Sequence, residues 1–364
     1  MSVPPVTIDL STASVSRTCR VVVGVGHLES ESSRADASFL IADDYVLGLH
    51  FEALGAAAEL PGARLPRGEE AKTFSRLGDV LDTLSESGAD RSSTLLAFGG
   101  GATCDISGLA AALFMRGISW VAAPTTLLAQ VDAAVGGKTA INTNAGKNLV
   151  GAFHQPELVI ADTSLLETLD DAELRSGLGE VIKTALLGAQ VGESESLFEW
   201  LEQVQTSAIA ARDPQLLATI VESCVRFKAD VVAQDERESG LRKQLNLGHT
   251  FAHAIERVAG YGTIPHGVAV AAGIGDAIEV ARREGVLTES DLPNRYGELA
   301  RRFGLPADTE ALRKSSGLAL AEDELAEAML GDKKNESGER RLVLPKALGE
   351  VTLDVNVSPF GSAS

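Results

Sequence analysis

Two histidine-bearing stretches hold the residues best suited to chemistry. Arg242, Asn246, His249 and His253 follow one another at spacings of four, three and four. On one continuous helix they would form a single polar stripe. A third histidine, His266, follows in Pro265-His266-Gly267, and Gly179-Glu180-Val181-Ile182-Lys183 sets Glu180 and Lys183 on one helical face. A glutamate with two histidines is a natural ligand set for a catalytic zinc that keeps one coordination position open. Spacing alone makes His249 and His253 the default pair, although His249-Thr250-Phe251-Ala252-His253 lacks the glutamate of an HExxH helix. The same spacing also suits buried histidines that only hydrogen-bond. Lys228 either adds to this basic cluster or lays its stem along apolar surface.

A second set of residues suits anions. The run Leu95 to Phe98 enters Gly99-Gly100-Gly101, then Ala102-Thr103-Cys104-Asp105 and a helix-like stretch from Ile106. A strand that ends in glycines at a helix start lets backbone N–H groups approach a pyrophosphate. A simple tight connection has the same appearance, and the run is neither GxGxxG nor a P-loop. Asp105 could cap the helix instead of touching a ligand, and Arg67 to Lys72 reads as a charged, solvated loop. Further on, Pro124-Thr125-Thr126 to Asp132 leads to Gly136-Gly137-Lys138 and Gly146-Lys147-Asn148. Lysines beside glycines, with an amide and hydroxyls at hand, suit a phosphate or a carboxylate. The low charge of the surrounding stretch favours a site over a solvated loop.

These residues need elements to hold them. Short apolar runs at Arg20–Val25, Ser38–Ala42, Leu95–Phe98, Ser119–Ala123 and Leu158–Ala161 alternate with helical stretches, which predicts a mostly parallel sheet covered on both faces. Helices are expected at Leu165–Leu187, Glu195–Ala211, Pro214–Val232, Gln244–Val258, Val268–Glu284 and Glu322–Leu330. Residues 1–17 read as a loose start or edge strand, Arg341–Leu344 as a short strand and Ser358–Ser364 as a frayed tail. The organisation is therefore an α/β Rossmann-like domain over residues 1–163 and an all-α domain over 164–364, with a ligand cleft expected at their junction.

Composition excludes several classes. At 364 residues and 45% hydrophobic, the chain is globular and long enough for two cores. Its net charge of −19 opposes nucleic acid and anionic membranes, and only 4% aromatic residues leaves little for base stacking. An anionic ligand would therefore need a local basic cluster. Three distant cysteines without metal spacing fit a reducing compartment, and no signal-peptide or membrane-spanning run is seen, so a cytoplasmic location is expected.

In order along the chain, Met115-Arg116-Gly117, Pro124 to Asp132, Gly136-Gly137-Lys138, Gly146-Lys147-Asn148, Gly179 to Lys183, Gly240-Leu241-Arg242, Asn246 to His253, Pro265-His266-Gly267 and Asp332-Lys333-Lys334 resemble the 3-dehydroquinate synthases, within the wider sugar phosphate cyclases. The resemblance covers roughly Arg64 to Leu344. It implies that Glu180, His249 and His266 hold a divalent metal, normally zinc with cobalt as the alternative, while His253 faces a phosphate. It also implies that Arg116, Lys138, Asn148, Asn246 and one of Lys333 and Lys334 surround that phosphate, with Arg116 reaching a neighbouring subunit of a homodimer. Lys228 and Arg242 would clamp a carboxylate, and Asp132, Lys147 and Lys183 would line the carbocycle. NAD would lie along Asp43, Glu69, Lys72, Gly100, Gly101, Asp105, Thr125 and Thr126. One departure stands out: the family usually has glycine at Cys104, and a positive φ there would cost about 1 kcal/mol and weaken cofactor binding.

The implied reaction converts 3-deoxy-arabino-heptulosonate 7-phosphate to 3-dehydroquinate and phosphate, through transient oxidation, elimination, reduction and aldol closure. Rival readings are cyclases making an aminodehydroquinate, a valiolone or an inosose. Others are a metal-dependent polyol dehydrogenase of the glycerol dehydrogenase kind and a non-catalytic sugar phosphate binder. Cyclases whose substrates lack a carboxylate have no need of the Lys228 and Arg242 clamp.

Overall fold

A computed structural model describes residues 4–11, 18–330 and 341–356. Lys333, Lys334 and the Ser358–Ser364 tail lie outside the described residues. The first half is built on a seven-stranded sheet whose strands are β1 (Val6–Leu10), β2 (Cys19–Gly24), β3 (Phe39–Asp43), β4 (Gly62–Leu65), β5 (Thr94–Gly99) and β6 (Ser119–Pro124), with β9 (Leu158–Asp162). Between β6 and β9 runs a separate hairpin of β7 (Lys138–Thr143) and β8 (Gly146–Phe153). The sheet order is β1-β2-β9-β6-β5-β3-β4, with β1 antiparallel and the rest parallel. The central parallel strands are buried on both faces, which is why residues 39–42, 95–98 and 158–161 read as unbroken apolar runs. Val22, Leu40, Leu96, Val121 and Ile160 stack across that sheet, with Leu28, Leu47 and Leu54 packed against them.

The order also fixes where ligands can enter. From β3 the chain moves outward to β4, whereas from β5 it moves the other way to β6 and β9. The carboxyl ends of β3 and β5 therefore flank a topological switch point, where open α/β sheets take their ligands. Asp43 ends β3 and the three glycines follow β5.

Two helix starts in this half contrast sharply. At the carboxyl end of β2, the buried carboxylate of Asp162 accepts hydrogen bonds from the backbone N–H groups of Gly26, His27 and Leu28, at 2.8, 2.7 and 2.9 Å. Those groups open the short helix Leu28–Arg34. At the end of β5, the helix Gly101–Leu113 starts from Gly100 with no side-chain cap.

The chain forms two compact units, Met1–Asp170 with Ser207–Arg237, and Asp171–Thr206 with Glu238–Ser364. The helix Pro214–Gln234, assigned to the second half from sequence, thus belongs with the sheet, where its buried face packs against β1 and β2. Thr163 Oγ1 pins its start by donating to Pro214 O at 2.8 Å. The second unit is mainly helical but not purely so: it also carries antiparallel ribbons at Gln190–Val191 with Glu195–Ser196, and at Leu342–Ala347 with Glu350–Val355. The expected helix Leu165–Leu187 is divided into a 3-10 segment, Thr163–Thr168, and a helix, Asp171–Leu186. No helix among the described residues is long and apolar enough to cross a membrane.

A buried carboxyl in the second unit makes stability depend on pH. Asp276, on the helix His266–Arg283, accepts hydrogen bonds from Thr309 N at 3.2 Å and from Thr309 Oγ1. Burial dominates those bonds and pushes its pKa from an ordinary 3.8 up to about 6. The native state therefore binds this proton more tightly than the unfolded chain. Its contribution is complete below pH 3.8 and is lost as pH rises through about 6. Asp276→Asn should be more stable than the parent above pH 6, by on the order of 2 kcal/mol. Chemical denaturation at pH 5 and pH 8 checks this: a gain that does not grow with pH contradicts it.

Candidate active site

The metal-type cluster draws on three helices, two of which, Asp171–Leu186 and His266–Arg283, meet at glycines. A Cβ on Gly179 would lie 1.9 Å from Gly267 O, and one on Gly267 would lie 1.8 Å from Ser176 O. Only glycine permits backbones this close, and the next residues are Glu180 and, on the other helix, His266. His266 Nε2 stands 3.4 Å from Glu180 Oε1, and His249 Nε2 stands 3.7 Å from the same oxygen. Among the described residues these three can present ligand atoms all within 4.8 Å of one another.

The chemistry of this trio suits a divalent cation. Glu180 is fully buried; Lys183 is ion-paired with its Oε2, while Oε1 meets only the two imidazoles, at 3.4 and 3.7 Å. A carboxylate left that way in the interior is costly, and a cation between it and two imidazoles offsets the penalty. Burial alone would lower the His266 imidazole, but Glu180 and Glu256 outweigh it and raise its pKa to about 10. The pocket's excess negative charge thus draws in a positive one. The outer ring nitrogens are oriented too: His249 Nδ1 lies 3.3 Å from Leu247 O, and His266 Nδ1 lies 3.3 Å from Glu256 Oε2. Such contacts fix tautomer and ring direction at metal sites.

The expected continuous helix Gln244–Val258 does not form. A 3-10 segment, Leu241–Asn246, ends at an extended Leu247; Gly248 turns at φ +78°, and the helix starts afresh at His249. Arg242 and Asn246 therefore do not share a stripe with the histidines. Arg242 is buried, and the Asn246 amide binds Glu238. His249 and His253 stay one turn apart on that helix but differ in place: His249 joins Glu180 and His266, while the His253 ring sits 5.7 Å from His249 and stacks 6.3 Å from His266.

In the first unit, the switch point collects the nucleotide candidates. Asp43 Oδ1 caps the following helix through Tyr45 N and Val46 N, at 3.0 and 3.1 Å. Thr125 N donates to Gly99 O at 2.9 Å, which ties the ends of β5 and β6 together, and the buried Thr125 Oγ1 has no hydrogen-bond partner. Thr126 Oγ1 accepts from Ala129 N at 3.2 Å. The uncapped helix start at Gly100 and Gly101, with the orphaned Thr125 hydroxyl beside it, fits a pyrophosphate-bearing cofactor.

Three expectations for that region change. Lys72 is not solvated: it is buried, and its Nζ donates to Asp105 Oδ2 and Asn148 Oδ1, both at 2.5 Å. Asp105 is the fifth residue of its helix and cannot cap it. Burial pushes its carboxyl up and Lys72 pulls it partly back. Glu69 Oε2 accepts from Asn142 Nδ2 at 2.5 Å. Cys104 lies inside the regular helix, without positive φ, so it adds no backbone strain.

The lysine-asparagine segment is a β-hairpin rather than a loop. Exposed Lys138 and Asn148 and half-buried Lys147 sit on it, and Asn148 takes a left-handed φ of +54°. Asp105, Lys138, Thr139, Asn148, Leu149 and Phe153 help line a cavity of about 310 Å³. Lys228 Nζ donates to Asp132 O at 2.6 Å and is ion-paired with its carboxylate. Arg116 is exposed in a tight turn where both it and Met115 have positive φ, +70° and +47°. Strain of this kind clusters at functional sites. Sequence reasoning missed Glu256, although it lies three residues beyond His253 on the same helical face.

This combination defines a class. A Rossmann-like unit with a topological switch point, followed by a mainly helical unit that sets buried Glu180 against half-buried His249 and His266, is matched by solved sugar phosphate cyclases. The 2-epi-5-epi-valiolone synthase of Streptomyces hygroscopicus subsp. jinggangensis, solved with NAD+ and Zn2+ bound, matches with a TM-score of 0.82 and 28% identity over 96% of each chain. A 2-deoxy-scyllo-inosose synthase complexed with carbaglucose-6-phosphate, NAD+ and Co2+ matches at 0.80 and 27%, over 97% of each. Within that class, the chain belongs to the 3-dehydroquinate synthase family. The family's N-terminal domain matches residues 63–176 and its C-terminal domain residues 177–335. The 3-dehydroquinate synthase of Halorhodospira halophila is 41% identical over 348 residues, 94% of each chain.

Proposed function

We propose that this protein converts 3-deoxy-arabino-heptulosonate 7-phosphate to 3-dehydroquinate and inorganic phosphate, using NAD and a divalent metal, zinc by preference. The observation that carries the reading is Glu180: a fully buried carboxylate, paired with Lys183 on one oxygen, whose other oxygen faces two imidazoles. Glu180, His249 and His266 hold the metal; Asp43, Glu69, Lys72, Gly100, Gly101, Asp105, Thr125 and Thr126 hold NAD. When bound, the metal acidifies a substrate hydroxyl and NAD oxidises that carbon reversibly.

The remaining work falls to the chain's own side chains. Lys138, Asn148, Asn246, His253 and Arg116 present N–H donors to the leaving phosphate, where charge grows as the bond breaks. One of Lys333 and Lys334 belongs to the same group by resemblance. Lys228 and Arg242 hold the carboxylate, which separates this reading from cyclases whose substrates have none. Asp132, Lys147 and Lys183 keep the carbocycle in its reactive poses, a gain from proximity. Leu113, Met115 and Phe153 are large apolar side chains left exposed. They suit a second copy of the chain, so a homodimer with Arg116 at its interface is part of the proposal. Three buried free thiols suit a reducing compartment such as the cytoplasm.

The test is phosphate release from the heptulosonate phosphate with NAD and zinc, followed by identification of the carbocycle by NMR. Net NADH accumulation with a polyol, or metal and NAD binding without phosphate release, would sink the proposal. An amino- or valiolone-type product would move it to a sister cyclase. Lys138→Ala removes one charge-assisted contact worth about 1.5–3 kcal/mol, or roughly 10- to 150-fold in kcat/KM. Because Lys138 is exposed, the variant should keep its melting temperature. Near-normal kinetics would contradict the assigned role.

A further inference from the structure

We propose that Gln130 is a positioning residue that sets Asp132, by bridging the split carboxyl ends of β6 and β9; its kinetic test rests on the reaction proposed above. The sheet opens at this point. Strands β6 and β9 pair only at Val121 with Leu158 and Ala122 with Val159. Beyond that each stays with its outer neighbour, β6 with β5 as far as Pro124 and β9 with β2 as far as Asp162. The result is a notch between the two strand ends.

Gln130 fills the notch. Its side chain is fully buried, and Nε2 donates to Pro124 O at 3.0 Å and to Asp162 O at 2.9 Å. Both amide hydrogens are used, so the orientation is fixed: a flipped amide would set its oxygen against two carbonyl oxygens. The buried Oε1 accepts no hydrogen bond. A group that leaves one polar atom unsatisfied in order to satisfy two strand ends holds those ends firmly.

The backbone around Gln130 carries that hold to the site. Ala129–Ala133 is a π-helical turn, closed by Ala134 N donating to Ala129 O at 3.0 Å. The wider turn shifts the following residues relative to an ordinary helix, a device found mostly at functional sites. Asp132 lies two residues after Gln130, and its carbonyl and carboxylate both meet Lys228 Nζ. Thr125 and Thr126 directly follow the anchored Pro124. One buried amide therefore fixes where the π turn leaves the sheet and where Asp132 meets Lys228.

The experiment is a double-mutant cycle on the holoenzyme. Gln130→Met keeps length and bulk but donates nothing. It should lower kcat/KM about 30-fold with most of the loss in kcat, yet cost less than 3-fold when made in the Asp132→Asn background. A 30-fold loss that persists in that background, or a lowered Tm with unchanged kinetics, would overturn the proposal. If Gln130→Met does not fold, Gln130→Asn, which keeps the amide but is one methylene too short to reach both carbonyls, takes its place with the same expectations. Hydrogen exchange at residues 129–135 should accelerate in either variant whatever reaction the enzyme performs. Unchanged exchange there sinks the Gln130 inference, whereas absent phosphate release by the parent protein sinks the reaction instead.

Discussion

His266→Ala should abolish metal retention while His253→Ala keeps it, despite the two histidines lying thirteen positions apart on adjacent helices that pack together. His266 Nε2 and His249 Nε2 both approach Glu180 Oε1, at 3.4 and 3.7 Å, and His253 is outside that trio. Removing one of three protein ligands should lower metal affinity by at least about 100-fold, and with it several kcal/mol of transition-state stabilisation, or roughly 10³-fold in kcat/KM. His253→Ala should hold stoichiometric metal and lose about 10- to 100-fold in kcat/KM, the value of one charged contact to phosphate. Metal content after dialysis, read alongside kinetics, separates the two. The reverse order of metal loss would restore the pair His249 and His253 as the ligands.

The second large effect comes from a methyl group. Gly179→Ala would place Cβ 1.9 Å from Gly267 O, a backbone atom that cannot swing aside. The helices Asp171–Leu186 and His266–Arg283 must then separate, and the residues beside the contact are Glu180 and His266. We expect about 2–4 kcal/mol of lost stability, at the upper end of overpacking effects, together with about a 10- to 100-fold loss of metal affinity. Gly78→Ala is the control. It sits in the helix Phe74–Glu86 with no atom within 4 Å of a new Cβ, so it should be neutral or slightly stabilising. Denaturation midpoints and metal titration on both variants check this, and a Gly179→Ala protein with parental metal affinity would refute the close-approach account.

What could be read from sequence follows the strength of local signals. Strands β3, β5, β6 and β9 were legible because burial on both faces leaves unbroken apolar runs. The helix Pro214–Gln234 was legible from Asp213 and Pro214, an N-cap and a first-turn proline, but nothing local says which unit it joins. β7 and β8 were hidden, since Gly146, Lys147 and Asn148 in succession break any alternation of polar and apolar residues. The turn at Gly248 was missed because a single glycine inside a helical pattern is usually tolerated, and only the structure reveals its positive φ. Lys72 looked solvated for a related reason. Its companions, Asp105 and Asn148, lie 33 and 76 residues away, beyond any local pattern.

The carboxylate of Asp162 has a consequence for cofactor choice. Both β2 and β5 feed a helix whose first N–H groups attract anions, so a chain of this topology begins with two rival sockets for a pyrophosphate. At β2 the socket is filled by an anion tethered to the chain itself, which competes at an effective concentration that no free nucleotide approaches. At β5 there is no tethered rival. If the protein binds NAD as proposed, self-occupancy of one socket would direct the dinucleotide to the other, and the address would be written by where the protein keeps its own acid.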